Sequence, residues 1–253
     1  MNQSNSSKIN RLLAQWPHGA VFTSKWLTSN GYPPDLVGLY HKRNWLTPVG
    51  RGAWMRKSDK ISWKGGLYAI QKQLSLDIHP GASTALNFYG LAHYVPLAKD
   101  QVYIFGAPGS KLPKWFKNYD WGVSINYKTS NAFSKENSLG LQDRDENSFS
   151  IKISSPERAI LELLFLVPKD LSFEFAEQHM ESLMTLRPKL VQSLLETCTS
   201  VKVKRLFLYL AEHLEMNWVE KIDIRKIDLG FGKRVIAKNG QLNNKYKITV
   251  PKE

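Results

Sequence analysis

The chain has 253 residues, 42% of them hydrophobic, with 35 Lys plus Arg against 22 Asp plus Glu, a formal net charge of +13. That length buries a real core in one large domain or two modest ones, and the basic balance points to polyanionic partners or to solubility rather than to a fold. The single cysteine, Cys198, excludes an intrachain disulfide and a cysteine-rich zinc site, no apolar run approaches the ~20 residues of a membrane helix, and the polar opening MNQSNSSK lacks the apolar stretch of a secretory signal; the expectation is a protein of a reducing cytosol with no membrane partner.

The charge is uneven. Residues 1–60 carry 9 basic and 2 acidic side chains, a net of +7; residues 61–199 carry 14 of each; residues 200–253 carry 12 and 6, a net of +6. The first helix is predicted in SSKINRLLAQWP, where Ile9, Leu12, Leu13 and Trp16 recur at helical spacing, Ser6 or Ser7 caps the start, and Pro17 and Gly19 stop it. A short second helix follows in TSKWLTSNG, capped by Thr23 or Ser24, with Trp26 and Leu27 inward and Gly31 at its end. A third runs from Pro33 to Arg43, its inward stripe Leu36, Leu39 and Tyr40 and its opposite face Asp35, Gly38, His41 and Lys42. Gly38 inside a helix costs about 1 kcal/mol relative to alanine, which close approach by another surface would explain.

NWLTPV and AWMRK then flank Gly50-Arg51-Gly52, a turn whose glycines supply positive φ. Pro48 restricts the first arm to a sheet edge, and Trp45 is expected to anchor the hairpin's base in the core. Three short helices followed by a basic hairpin give the outline of a winged helix-turn-helix, whose third helix enters the major groove of DNA. Lys25, Lys42, Arg51 and Arg56 are expected on phosphates, which fix register without reading sequence. Tyr32, Pro34, Gly38 and His41 lie where base edges are read. Arg51 has a second option in a narrow minor groove. The bland alternative is a small helical domain with a solvated basic face.

Further along, helices are predicted at 62–74, at 81–93 with Ser83 as cap, at 154–168, 173–186, 187–198 and 201–215. Strands are predicted at 101–108, 121–128 and 148–154, and the polar run 134–148 reads as an exposed loop. In SSPERAILELLFLVP, Ser154 and Glu157 form a capping box with Pro156 in the first turn, and Ala159, Ile160, Leu163, Leu164 and Val167 form the buried stripe. Lys202, Lys204 and Arg205 crowd the start of the 201–215 helix, either as a solvated end or beside an anionic neighbour, since cations there oppose the helix dipole. The tail is expected as two strands joined through Asn239-Gly240 and decorated by Lys233, Arg234, Lys238, Lys245 and Lys247. Those lysines either keep a sheet edge soluble or form a second anion-binding strip. The elements together give an α+β fold, an N-terminal winged helix-turn-helix followed by a larger mixed C-terminal domain.

Enzyme signatures do not surface. The sequence holds no phosphate-binding Gly-Lys-Ser/Thr loop, no G-x-G-x-x-G, no H-E-x-x-H and no carboxylate followed two residues on by lysine; its six histidines, at 18, 41, 79, 93, 179 and 213, never fall three or four apart. No catalytic residue, metal or cofactor is expected.

Taken together, YPPDLVGLYHKRNWLTPVGRGAW, GASTALNFYGLAHYVP, KLPKWF, ISSPERAILELLFLVP and the C-terminal SVKVKRLFLYLAE and IDLGFGKRVIAKNGQLNNKYKITVPKE resemble the AbiEi-type antitoxins of bacterial type IV toxin–antitoxin systems. The resemblance spans nearly the whole chain. It implies a winged helix-turn-helix domain at residues 1–95 (core 6–58) that binds inverted repeats in its own promoter and represses its operon. It further implies a domain at residues 96–253 that counteracts a nucleotidyltransferase-like toxin without a stable complex. Carried over, the recognition helix falls on Asp35 to Arg43 and the wing on Leu46 to Arg56. Asn44 stands where the family pattern has glycine, and asparagine tolerates the left-handed conformation of a helix end. For the antitoxic part, Lys202, Lys204, Arg205, Lys233, Arg234, Lys245 and Lys247 are the candidates. The alternative function is an RNA-binding or direct protein-binding inhibitor working through those C-terminal basic strips.

Overall fold

The computed structural model describes residues 3–91, 100–133 and 138–252, the side chains of residues 3–7 excepted. Residues 92–93 of the 81–93 helix and residues 134–137 of the polar run lie outside the described residues, and the cap expected at Ser6 or Ser7 is corrected, because α1 begins at Gln3 and both serines fall inside it. The N-terminal elements are α1 (Gln3–Gln15), β1 (Phe22–Thr23), α2 (Ser24–Ser29), α3 (Pro34–Lys42), β2 (Leu46–Gly50), β3 (Ala53–Arg56) and α4 (Trp63–Tyr68), which continues as a π-helical turn, Ala69–Gln73. Then come β4 (Ile78–Pro80), α5 (Ala82–Phe88), β5 (Gln101–Gly106), α6 (Lys114–Asn118), β6 (Ser124–Thr129), β7 (Leu141–Glu146) and β8 (Phe149–Ser154). The C-terminal part is α7 (Pro156–Leu166), α8 (Phe173–Glu181), α9 (Pro188–Thr197), α10 (Val201–His213), β9 (Arg234–Val235), β10 (Gln241–Asn243) and β11 (Ile248–Val250). Helices and small sheets make the fold α+β. The sheet orders are β1-β3-β2, β4-β5-β6, β7-β8 and β10-β11-β9. Among the described residues no helix is long and apolar enough to cross a membrane.

The chain divides into two compact units, each assembled from more than one stretch: residues 1–79, 109–125 and 143–152, and residues 80–108, 126–142 and 153–253. The first unit packs Ile9, Leu12, Trp16, Phe22, Leu27, Val37, Tyr40 and Leu46 into one apolar core. Trp16 and Phe22 stack at 4.2 Å, and the Trp16 indole donates to the Ala20 carbonyl at 2.8 Å. The chain can pass this close because Gly65 faces the Gly19 carbonyl; a Cβ on Gly65 would lie 1.9 Å from that oxygen. Gln73 extends the edge of β1, accepting from Thr23 N–H at 2.7 Å and donating to the Val21 carbonyl at 3.0 Å. In β2 the close approach of Trp115, 2.9 Å from where a Gly50 Cβ would sit, explains that glycine. Gly50 does not have positive φ, whereas Gly52 does, at 89°; the expectation that both glycines serve the turn through positive φ is corrected by packing. The polar run 134–148 is also corrected, since β7 occupies its C-terminal half and pairs with β8. A two-stranded ribbon needs only one face covered, so polar side chains do not preclude it.

The second unit is built around α7, which buries nearly every side chain it carries, and α10, which buries most of its own. Ser154 Oγ donates to Glu162 at 2.7 Å and Arg158 Nε to Glu162 at 2.8 Å, all three side chains buried. Glu157 accepts from Arg187 Nε and NH2 at 2.8 and 2.9 Å. Burial works to raise the Glu157 carboxyl, and the Arg187 bonds outweigh it, so the group sits below the ordinary carboxylate value. The expected Ser154–Glu157 capping box is therefore absent: the N-cap is Ser155, and both candidate side chains are spent on these longer-range bonds. Likewise Ser83 lies buried inside α5, whose N-cap is Gly81. In the tail, β9 and β10 both pair with β11, in parallel and antiparallel sense. The expected hairpin through Asn239-Gly240 gives way to a turn at residues 244–247, where the Asn243 side chain accepts from Tyr246 N–H at 2.9 Å.

Gly65→Ala is expected to cost about 1–3 kcal/mol of unfolding free energy in urea, because the obstacle is backbone and cannot swing aside; an unchanged midpoint would contradict this packing. A second expectation concerns Lys202, which burial pushes down to about 8 from the ordinary 10.5. The unfolded chain binds more protons between those values, so this side chain's contribution to stability rises with pH through that window. The stability of the natural chain relative to Lys202→Met should therefore grow from pH 8 to pH 10, and a constant or falling difference would refute the burial argument.

Candidate nucleic-acid interface

The α3 helix turns one face inward through Val37 and Tyr40, with Leu36 and Leu39 half-buried beside them. Val37 was missing from the expected stripe. Tyr32 packs against the same core and is 5% exposed. Burial, with Tyr32 alongside, pushes the Tyr40 phenol up. Tyr32 is therefore a core residue, and its expected place among the base-edge readers is corrected.

At ~100° per residue, Pro34, Gly38, His41 and Lys42 fall within a ~100° arc on the outward side of α3. Pro34, His41 and Lys42 are exposed. A Cβ built on Gly38 meets nothing within 4 Å. No close packing inside the protein asks for glycine at this helical position, so its cost to the helix has no internal return.

The end of α3 is set by its C-terminal turn. Asn44 adopts φ 59°, its N–H donates to the His41 carbonyl at 2.9 Å, and Trp45 N–H donates to the Tyr40 carbonyl at 3.0 Å. These two bonds make the Schellman arrangement, with Asn44 in the left-handed place usually held by glycine. The chain then enters β2 at once. The His41 imidazole Nδ1 donates to the Leu46 carbonyl at 3.0 Å, and its ring lies 5.7 Å from Trp54 of β3. The Trp54 indole in turn donates to Ser24 Oγ at the start of α2, at 3.0 Å. One chain of contacts thus ties α2, α3 and the β2–β3 hairpin together. Because Nδ1 is the donor, the neutral His41 ring keeps Nε2 as an acceptor directed away from this bond.

In the hairpin, Leu46 pairs with Arg56, Thr47 with Met55 and Pro48 with Trp54, and the ladder shifts at a bulge between Pro48 and Gly50. β2 is the edge strand, as Pro48 requires. Arg51 is exposed at the tip and Lys25 on α2. Arg56 is different: its side chain is 12% exposed, with Nε 3.9 Å from a carboxylate oxygen of Asp59. Asp59 also accepts from Gly19 N–H at 2.9 Å, so this pair closes the loop before α4. The phosphate role expected for Arg56 is corrected to an internal one. Trp45 is also corrected: it is 44% exposed rather than a core anchor. With exposed Arg43 and Lys57, it joins the outward surface that sequence reasoning missed. Its place directly after the left-handed residue was the available signal, because that residue turns the chain outward.

The C-terminal candidates separate into two groups. Lys202 Nζ donates to the Phe165 carbonyl at 2.7 Å and to the Val167 carbonyl, capping the C-terminal end of α7. Its negative neighbours are therefore the end of another helix and the Asp170 carboxylate. Lys204 and Arg205 are buried, and Arg205 donates only to carbonyls. Lys202 and Arg205 are internal supports and Lys204 is buried, which corrects their candidacy as an anion-binding surface. Lys233, Lys238, Lys245 and Lys247 are exposed and Arg234 half-buried. Lys245 is paired with Glu212. Among the described residues no group of three or more His, Cys, Asp or Glu side chains is placed to hold a metal ion.

Two family models match the chain. One, described as a transcriptional regulator and AbiEi antitoxin of type IV toxin–antitoxin systems, covers residues 99–251; the other, described as the N-terminal domain of that regulator, covers residues 5–97. No curated protein matches. Among solved structures, the RV2827C protein from Mycobacterium tuberculosis is similar at a TM-score of 0.62 and 16% identity, over 96% of this chain and 89% of that one. At that identity the likeness shows the fold alone.

Gly38→Ala is expected to raise unfolding free energy by about 1 kcal/mol, because the added methyl enters open space in a helix. A loss of stability in urea titration would mean that the protein's own packing requires the glycine.

Proposed function

The chain belongs to the AbiEi family, antitoxins of type IV toxin–antitoxin systems that are also transcriptional regulators, and from that premise we propose that it represses its own operon through a winged helix-turn-helix. In this proposal α3 lies in the major groove of inverted repeats in the promoter, and the β2–β3 hairpin is the wing. Lys25, Lys42, Arg43, Arg51 and Lys57 meet phosphates, which position the protein without reading sequence. Pro34, Gly38 and His41 face the base edges. His41 Nε2, an acceptor in the neutral ring, matches the amino donors of cytosine and adenine.

The observation that carries the proposal is Gly38. It is a helix-interior glycine with no packing demand from its own chain, flanked on the same arc by exposed Pro34, His41 and Lys42. A surface that another molecule must approach closely supplies the missing reason. The contacts from Ser24 through Trp54 and His41 to Leu46 support the same view, because a reader of base edges must hold its helix and wing in fixed register.

We assign residues 1–95 to operator recognition and residues 96–253 to counteracting a nucleotidyltransferase-like toxin, in the bacterial cytosol and without a stable complex. The junction between the two family models, at residues 97–99, supports that division. Gly38→Ala then has opposite effects on fold and function: a more stable protein that binds its promoter duplex more weakly.

Titration of the promoter duplex with full-length protein is expected to show log K falling with log salt by about 0.9 per phosphate contacted. Arg51→Ala should weaken promoter and unrelated duplex together and lower that slope by about 1. Arg56→Ala should leave the slope unchanged and lower stability instead. A slope indifferent to Arg51, or binding indifferent to salt, would overturn the proposal.

A further inference from the structure

The segment Leu229-Gly230-Phe231-Gly232-Lys233-Arg234 presents a phenyl ring that is 94% exposed. The backbone beneath that ring is firmly held. Arg205, on α10 and 2% exposed, donates Nε to the Leu229 carbonyl at 2.8 Å, NH2 to the Gly230 carbonyl at 2.9 Å, and NH1 to the carbonyls of Gly232 at 2.5 Å and Lys247 at 3.2 Å. Gly230 N–H donates to Asp228 Oδ1 at 2.8 Å. Both glycines have positive φ, 59° and 71°, and a Cβ on Gly230 would lie 2.7 Å from Val201. A buried guanidinium and two left-handed glycines thus fix a loop whose tip adds nothing to the core.

Cations lie on the segments beside the tip. Lys233 and Lys247 are exposed, and Arg234 N–H donates to the Lys247 carbonyl at 3.0 Å, which brings the two segments together. The Arg234 guanidinium donates to the carbonyls of Phe231 and Lys233, at 3.2 and 3.1 Å. Asp228, the acid within this loop, accepts from Gly230 N–H.

We propose that this loop is a binding site for single-stranded nucleic acid, in which Phe231 stacks on an unpaired base while Lys233 and Lys247 hold the adjoining phosphates and Arg234 braces the loop backbone. Exposed aromatics that stack on bases, set beside cations that meet the backbone, are the elements by which proteins bind single strands without regard to sequence. A protein partner suits it less. Val235 is the other large exposed apolar side chain of this segment, and lysine is depleted from the apolar centres of protein interfaces. The site uses none of the residues assigned to duplex recognition, so it stands or falls independently of that assignment.

The test is fluorescence anisotropy of full-length protein with labelled twelve-nucleotide oligouridine and oligothymidine, and with a random-sequence duplex. Both single strands should bind, and a preference for one identifies whether RNA or DNA is favoured. Phe231→Ala should weaken single-strand binding about ten-fold without changing the thermal unfolding midpoint, and the loss should persist as salt is raised. Phe231→Trp should restore binding, whereas Phe231→Leu, apolar but without a π-face, should not. The proposal is overturned if Phe231→Ala binds single strands like the natural chain, if leucine serves as well as tryptophan, or if neither single strand binds at low salt.

Discussion

The left-handed turn at Asn44 is the constraint on which the N-terminal surface depends. It ends α3 after Lys42, closes two backbone bonds over the last turn, and delivers the chain into β2 after only Arg43, Asn44 and Trp45. The register of the hairpin relative to the helix follows from it. So does the short distance that lets His41 reach the Leu46 carbonyl. A longer, looser connection would leave helix and hairpin as separate basic elements. The short connection makes them one surface, with exposed Pro34, His41 and Lys42 on the helix and a cation at the hairpin tip. It also turns Trp45 outward, so an aromatic and a group of cations share the same edge.

Positive charge in this chain performs two physically distinct tasks. Lys202 and Arg205 are bound to backbone carbonyls, the first at the end of α7 and the second beneath the Phe231 loop. Arg56 is largely buried, with Nε 3.9 Å from Asp59. Such groups do not offer their charge to a partner. Lys25, Lys42, Arg43, Arg51, Lys57, Lys233 and Lys247 are among the cations that remain exposed, and such groups are available to phosphates. The formal +13 therefore overstates the charge presented outward, and net charge alone does not rank the candidates.

Much of the fold was legible in the sequence, because periodicity and punctuation are local signals. The three N-terminal helices, the edge hairpin with Pro48, and helices α7 to α10 all follow from apolar spacing, prolines and glycines. Asn44 could be read from its place at a helix end. What failed depends on distant partners. Gly50 owes its identity to Trp115, Arg56 to Asp59, and Glu157 to Arg187, and nothing near them in sequence announces those pairings. Tyr32 and Trp45 were exchanged between core and surface, since an aromatic beside a turn suits either. The Phe231 loop went unnoticed because a lone phenylalanine between glycines has no periodicity to read.

The central claim is that α3 and the hairpin act as a single duplex-reading surface. Amide hydrogen exchange of the full-length protein, with and without its promoter duplex, addresses that most directly. Exchange is predicted to slow together across residues 34–45 and at the 50–52 turn. Unchanged exchange there, with protection confined to other parts of the chain, would contradict it.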